Sequence, residues 1–169
     1  MTKSNAVFIS IGTYPSEAQA QDDYDVVKDL HEAGAIGTYD AAVITKDDNG
    51  EVHVNKDEQT TRRGAWRGAA AGAAVGLLFP PAVLAAAVVG AAGGGIGSHL
   101  WRGLSRADIK EFGEIIDEGQ AALLIIGESE LAHAVEKAEL KAQKHVAKEL
   151  DVSAKDLDEA VRKATAEVG

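Results

Sequence analysis

The spacing of hydrophobic positions changes repeatedly along the chain, and each change predicts an element. Ala6-Val7-Phe8-Ile9-Ser10-Ile11 is a short β-rich run closed by Gly12, which predicts a strand. Pro15-Ser16 then opens a helix. Ser16 with Gln19 three residues on makes a capping box, in which each side chain satisfies a free backbone N–H of the first turn. Ala20, Tyr24, Val27 and Leu30 or His31 recur at helical spacing, and Gly34 suits the residue past the helix end. Tyr39 to Thr45 predicts a second strand. Asp48-Asn49-Gly50 predicts a tight hairpin turn, because its central residues need positive φ, and Val52-His53-Val54 is the returning strand.

Further on, Ser105-Arg106-Ala107-Asp108 is another helix-start pattern. Ile109, Phe112 and Ile116 share a helical face, and Gly119 stops it. Ala121-Ala122-Leu123-Leu124-Ile125-Ile126 is a continuous apolar run of the kind expected of a central strand buried on both faces. From Ser129 the pattern predicts helix to near the end, with Leu131, Val135, Ala138, Ala142, Val146 and Leu150 as an apolar stripe that docks on the sheet or a neighbouring subunit, or simply covers the domain. Ser153 with Asp156 starts a last short helix carrying Leu157, Val161 and Ala164. The expected fold is α+β: a ferredoxin-like β-α-β-β-α-β domain at 5–60 and 104–128, an inserted Gly/Ala-rich helical hairpin at 61–103, and a C-terminal extension of amphipathic helices at 129–169.

The insertion has its own grammar. Between Arg67 and Arg102 there is no Asp, Glu, Lys or Arg, and His99 is the one ionisable side chain. Phe79-Pro80-Pro81 interrupts it: a residue before proline avoids the α region, so a first helix ends near Leu78, and Pro81 suits the first turn of a second. Gly64, Gly68, Gly72 and Gly76 are spaced by four, and Ala82, Ala86, Gly90, Gly94 and Ser98 repeat the spacing in the second leg. Each interior helical Gly costs about 1 kcal/mol relative to Ala, so a gain must offset it, and close approach of a partner helix is the usual one. An Ala/Gly-rich composition producing the spacing by chance is the competing reading.

The open end of this glycine zipper carries Arg62, Arg63, Trp66 and Arg67 on one side and His99, Trp101, Arg102 and Arg106 on the other. Trp beside Arg marks either a membrane-water interface or an anchor to the folded domain. A strand near Ile125 must pair with strands that precede the segment, so the segment leaves and returns on one side. Each leg reaches roughly 20–28 Å, short of a hydrocarbon core of about 30 Å. Its strongly apolar residues supply about 0.3–0.6 kcal/mol each toward insertion. Insertion of a lone hairpin is therefore marginal, and a homo-oligomer larger than a dimer is the firmer expectation, with membrane lipid as a second partner.

Composition narrows the function classes. The chain has 169 residues, 46 % hydrophobic but only 5 % aromatic, so much of its apolar content is Ala and its core is small. A net charge of −10 argues against nucleic acid as a partner, since phosphate neutralisation needs a basic surface. The absence of Cys removes disulfides, thiolate metal sites and cysteine nucleophiles, and fits a reducing compartment. The first apolar run is too short for a signal peptide, which points to the cytoplasm. Gly93-Gly97 mimics a dinucleotide loop but lacks the preceding strand. His31, His53, His99, His133 and His145 show no metal spacing, and Asp47 to Glu51 has calcium-loop composition without its twelve-residue pattern. Neither catalytic residues, a cofactor site nor a metal site is expected.

Ala6-Val7-Phe8-Ile9 through Gly12-Thr13-Tyr14, the strand Tyr39-Asp40-Ala41-Ala42-Val43, and Gly64-Ala65-Trp66 leading to Val75-Gly76-Leu77-Leu78-Phe79-Pro80-Pro81 together carry a resemblance. The chain resembles, over residues 5 to 165, a bacterial family of unknown function labelled an uncharacterised membrane protein and similar to heat-induced general-stress domains. The resemblance implies the ferredoxin-like domain with its glycine-zipper hairpin and transfers no activity. The expected function is a non-enzymatic, self-assembling protein whose hairpins pack in a homo-oligomer, with the inner face of the cytoplasmic membrane as its place and stress as its setting. The alternative is a dimeric α/β module that binds a hydrophobic ligand or lipid. The core is expected to fold without residues 64–103.

Overall fold

A computed structural model describes residues 6–34, 39–55, 74, 75, 78, 79, 104–116, 120–128, 142–153, 155–157, 159, 160, 162 and 163. The elements are β1 (Ala6–Tyr14), α1 (Glu17–Glu32), β2 (Tyr39–Lys46), β3 (Val52–Asn55), α2 (Arg106–Glu114), β4 (Ala121–Glu128) and β5 (Lys144–Ser153). The strands form one five-stranded sheet in the order β3-β2-β4-β1-β5, with every neighbouring pair antiparallel.

This sheet-dominated fold replaces the expected ferredoxin-like β-α-β-β-α-β domain with an inserted helical hairpin. The run at 121–126 is the central strand that its unbroken apolar pattern predicts, but the sheet holds five strands, with a fifth paired beyond β1. The four-residue β3 is an edge and β4 is the centre, flanked by β1 and β2. The apolar content decides this. Ala121 through Gly127 are all buried, so β4 needs cover on both faces and a strand on both sides.

The second correction concerns the C-terminal extension, whose stripe was expected to be helical through Leu150. Residues Lys144–Ser153 are instead the edge strand β5. Val146 and Leu150 are four apart, which satisfies the helical period and also lies at twice the strand period of two. The strand reading wins because Val146, Lys148 and Leu150 turn to one face while Lys144, His145, Ala147 and Glu149 are exposed. Ser153 still opens the next turn, its Oγ accepting the Asp156 N–H at 3.1 Å, and Leu157 is fully buried. Leu131, Val135 and Ala138 lie outside the described residues.

Helix α1 starts where the cap predicts, Ser16 Oγ accepting the Gln19 N–H at 3.4 Å. Its buried stripe, Ala20, Tyr24 and Val27, covers Tyr14, Tyr39, Val43, Leu123 and Ile125 on one face of the sheet. Between β2 and β3 the chain turns through five residues, 47–51, because the last strand pair is Lys46 with Val52. Asp47 N–H extends the ladder to the Glu51 carbonyl at 2.9 Å, and Gly50 takes φ 82°. Helix α2 begins in a full capping box between Ser105 and Asp108. It covers the opposite face, where Phe112, Ile115 and Ile116 meet Ile9, Ile11, Ile44, Leu124 and Ile126.

That second face is also covered by part of the Gly/Ala-rich segment. Ala74, Val75, Leu78 and Phe79 are buried in the same cluster, and the Phe79 N–H closes a helical turn on the Val75 carbonyl at 3.0 Å. Phe79, expected at the tip of a projecting hairpin, is 3 % exposed and packed within the domain.

Candidate functional site

The contact between this segment and α2 is made by bare backbone. A Cβ placed on Gly113 would stand 2.7 Å from the Leu78 carbonyl oxygen, so only glycine lets the two segments approach this closely. Sequence reasoning missed Gly113 because it belongs to no repeat; it is a single glycine inside α2. The other residues expected to pack helices together, Gly64, Gly68, Gly72, Gly76, Ala82, Ala86, Gly90, Gly94 and Ser98, lie outside the described residues. So do the flanking Arg63, Trp66, Arg67, Trp101 and Arg102, and Pro80 and Pro81 of the turn. Among the described residues no helix is long and apolar enough to cross a membrane.

Four polar arrangements remain as candidates for chemistry. The first is buried. Tyr14, at the end of β1, donates its hydroxyl to Asp23 of α1 at 2.6 Å, and both side chains are almost fully enclosed. Burial, and then the hydrogen bond and charge of Asp23, push the tyrosine well above its ordinary value. A phenol held so firmly in its protonated form is a donor that ties helix to strand, and it is a poor acid or base near neutral pH.

The second joins the sheet's last two strands. Ser10 of β1 and His145 of β5 are cross-strand neighbours but two positions from direct register, and His145 Nε2 lies 3.1 Å from Ser10 Oγ. Ser10 is buried, while His145 is exposed at the sheet edge and shielded where it meets the serine. That shielding pulls the imidazole below its ordinary value. An enclosed hydroxyl beside a neutral ring works as a strand-to-strand tie, because a nucleophile must also be reached by its substrate.

The third is the salt bridge of Asp108, at the start of α2, with Lys148 of β5. The lysine first, and the Ser105 N–H second, hold this carboxyl down to about 2. It fixes the capped end of α2 over β5. Near the other end of the helix Lys46 Nζ reaches the Ile116 carbonyl at 3.5 Å. Thr13 Oγ1, fully buried in β1, has no hydrogen-bond partner among the described residues.

The fourth, at the β2–β3 turn, is the group with metal-ligand chemistry. One ligand atom each from Asp47, Glu51 and His53 falls within 4.8 Å of the others. Asp47 is already engaged: Oδ1 accepts the Asn49 and Glu51 N–H groups, both at 2.9 Å, and Oδ2 meets His53 Nε2 at 2.8 Å. The His53 bond first, then the Glu51 N–H, lowers its pKa. The turn itself accounts for this geometry, as the sequence suggests. The same three groups, an imidazole and two carboxylates, would suit a divalent cation of the zinc type.

None of these arrangements combines a reachable nucleophile with a base and a cavity, so the comparison with known proteins carries the identity. A family described as a protein of unknown function, DUF1269, matches residues 65–164, more than half of the chain. The chain belongs to this family. No curated protein and no solved structure matches it. The DUF1269 match takes in the Gly/Ala-rich segment, α2, β4 and β5; the preceding β1, α1, β2 and β3 lie before it. The region that defines the family is thus the one that supplies the sheet's centre, one edge and the Gly113 contact.

Proposed function

We propose that the protein is a non-enzymatic, self-assembling scaffold whose Gly/Ala-rich legs pack against those of other copies in a homo-oligomer larger than a dimer. The observation that carries this reading is the doubled four-residue spacing, Gly64-Gly68-Gly72-Gly76 and Ala82-Ala86-Gly90-Gly94-Ser98. Two registers of small residues leave flat strips that reward close helix packing, and a single registered strip would be a weaker argument. The Leu78–Gly113 approach supports the same mode, since this segment already meets a helix of its own chain through bare backbone.

Phe79 bears on where the assembly sits. A tip buried within the domain must leave it before entering lipid, which would uncover the Phe112 cluster. The reading therefore keeps the tip with the domain, in the cytoplasm. It assigns any membrane contact, and with it the membrane label of the resemblance, to the Trp66-Arg67 and Trp101-Arg102 ends, whose chemistry suits an interface. A role in stress rests on the resemblance alone.

The test is native mass. Light scattering on the full chain is expected to give an oligomer above a dimer, and Gly68→Leu with Gly72→Leu is expected to reduce it, because bulky side chains hold the legs apart. An unchanged mass in the double variant sinks this reading.

A further inference from the structure

We propose that the outer edge of β5 is a second, independent interface, at which two copies of this chain pair antiparallel about a two-fold axis at Ala147. β5 is the last strand of the sheet, so among the described residues its outer edge carries no partner strand. It is regular where it matters. Lys144 to Leu150 pair one-for-one with Thr13 to Val7, and the irregularity comes only beyond, where Ala6 pairs with Ser153. This leaves a straight stretch of seven residues whose outward N–H and C=O groups form a template for another strand. Ala147 lies at its midpoint and is exposed, as are His145 and Glu149. β3, at the opposite edge, offers only four residues.

The side chains select the occupant and the register. Joining two sheets edge to edge requires residues of the same face to lie opposite each other, which allows shifts of two residues only. With the axis at Ala147, His145 of one copy faces Glu149 of the other, twice, while Lys144 faces Leu150 and Val146 faces Lys148. Shifting the axis to Val146 sets Lys144 against Lys148, and to Lys148 sets that lysine against itself. Axes at His145 and Glu149 put like against like as well. Within Lys144 to Leu150, only the Ala147 register sets the His145 imidazole, as a hydrogen-bond donor, opposite a carboxylate without setting like charges against each other, and like charges directly opposite are unfavourable. Each half of the pair is ready for it: Glu149 has no hydrogen-bond or ionic partner among the described residues, and His145 uses only Nε2 toward Ser10, leaving Nδ1 to meet a carboxylate. Lys148 is held by Asp108 and does not crowd the seam. Two five-stranded sheets would then run on as one. A foreign strand at the same edge would not enjoy this self-complementarity.

The absence of Cys in the native chain makes the register directly readable. Opposed Cα atoms in antiparallel strands lie about 4.5–5.5 Å apart, within disulfide reach. Full-length protein carrying Ala147→Cys is expected to cross-link to itself under mild oxidant, whereas His145→Cys or Glu149→Cys alone is not, and a mixture of those two is expected to cross-link. In the native background Glu149→Lys is expected to weaken pairing about tenfold by sedimentation, and adding His145→Glu is expected to restore it, because a carboxylate then again faces a donor across the seam. Carrying Ala147→Cys in the Gly68→Leu, Gly72→Leu background separates this interface from the zipper: a cross-linked dimer there supports the edge pairing whatever becomes of the larger assembly. No cross-link at 147 in either background, or equal cross-linking at all three positions, overturns the proposal, as does a Glu149→Lys, His145→Glu variant that fails to restore pairing.

Discussion

On one face of the sheet, α1 follows β1 directly in sequence and lays Ala20, Tyr24 and Val27 over its neighbours. On the other face the cover is gathered from Ala74, Val75, Leu78 and Phe79, then Leu104, α2, and finally Leu157 and Ala160. The first face carries the three buried tyrosines and a Tyr14–Asp23 bond; the second is packed by aliphatic side chains with Phe79 and Phe112, and adds a backbone contact at Gly113. A contiguous cover can form with its own strand. A gathered one depends on several crossings meeting at once, so it is where a small change should propagate furthest.

The largest effect is expected from removing the Gly/Ala-rich segment. Replacing 64–103 with a short flexible linker withdraws Ala74, Val75, Leu78 and Phe79, and loss of a buried Leu or Phe each costs about 2–5 kcal/mol. The expected result is loss of a sharp thermal transition by circular dichroism. A cooperative melt near the native temperature would show the two faces to be equally self-sufficient. Next comes Gly113→Val. Its new Cβ meets main chain, which cannot rotate away, so a cost of about 1–3 kcal/mol is expected in urea unfolding. A change under 0.5 kcal/mol would mean the Leu78 backbone can retreat freely.

On the contiguous face, Tyr14→Phe takes one donor from the enclosed Asp23 carboxylate and should cost about 1–2 kcal/mol. If it cost more than Gly113→Val, the ranking of the faces would be reversed. The smallest effect is a pH dependence. His145 titrates below 6.5 when folded and at its ordinary value when unfolded, so the unfolded chain binds more protons as pH falls through about 6.5. Folding stability should therefore decline as pH drops below that point, the penalty growing until the folded imidazole also protonates. His145→Gln should flatten this part of the profile. An unchanged slope would assign the acid response to other groups.

The same contrast explains what could be read from the sequence. Ser16 with Gln19, and the apolar stripe that follows, specify α1 because helix start and helix face are local signals. Ser105 with Asp108 does the same for α2, and the unbroken run at Ala121 correctly marks a strand enclosed on both faces. Sheet order is not local, and the βαββαβ expectation fails there, since nothing near Val52 reports that it will lie at an edge. β5 fails for a different reason: Val146 and Leu150 satisfy two periodicities at once, and Lys148 between them looks polar until Asp108 is seen beside it. Of the candidate site, the small-residue spacing was legible as a pattern. Gly113, Ser10 with His145, and Tyr14 with Asp23 were not, because each contact joins elements distant in sequence or differently oriented.

The central place of β4 has a consequence during synthesis. β1 and β2 both pair with β4 and not with each other, so they leave the ribosome as two strands with an empty lane between them. The strand that fills it arrives about 80 residues after β2, a delay on the order of 4–16 s at ordinary elongation rates. Until then Val7, Ile9, Ile11, Val43 and Ile44 have no finished sheet to join, and both strands expose unpaired edges. Synthesis order therefore sets β1 and β2 waiting on β4, and the sheet closes only when its centre has been made.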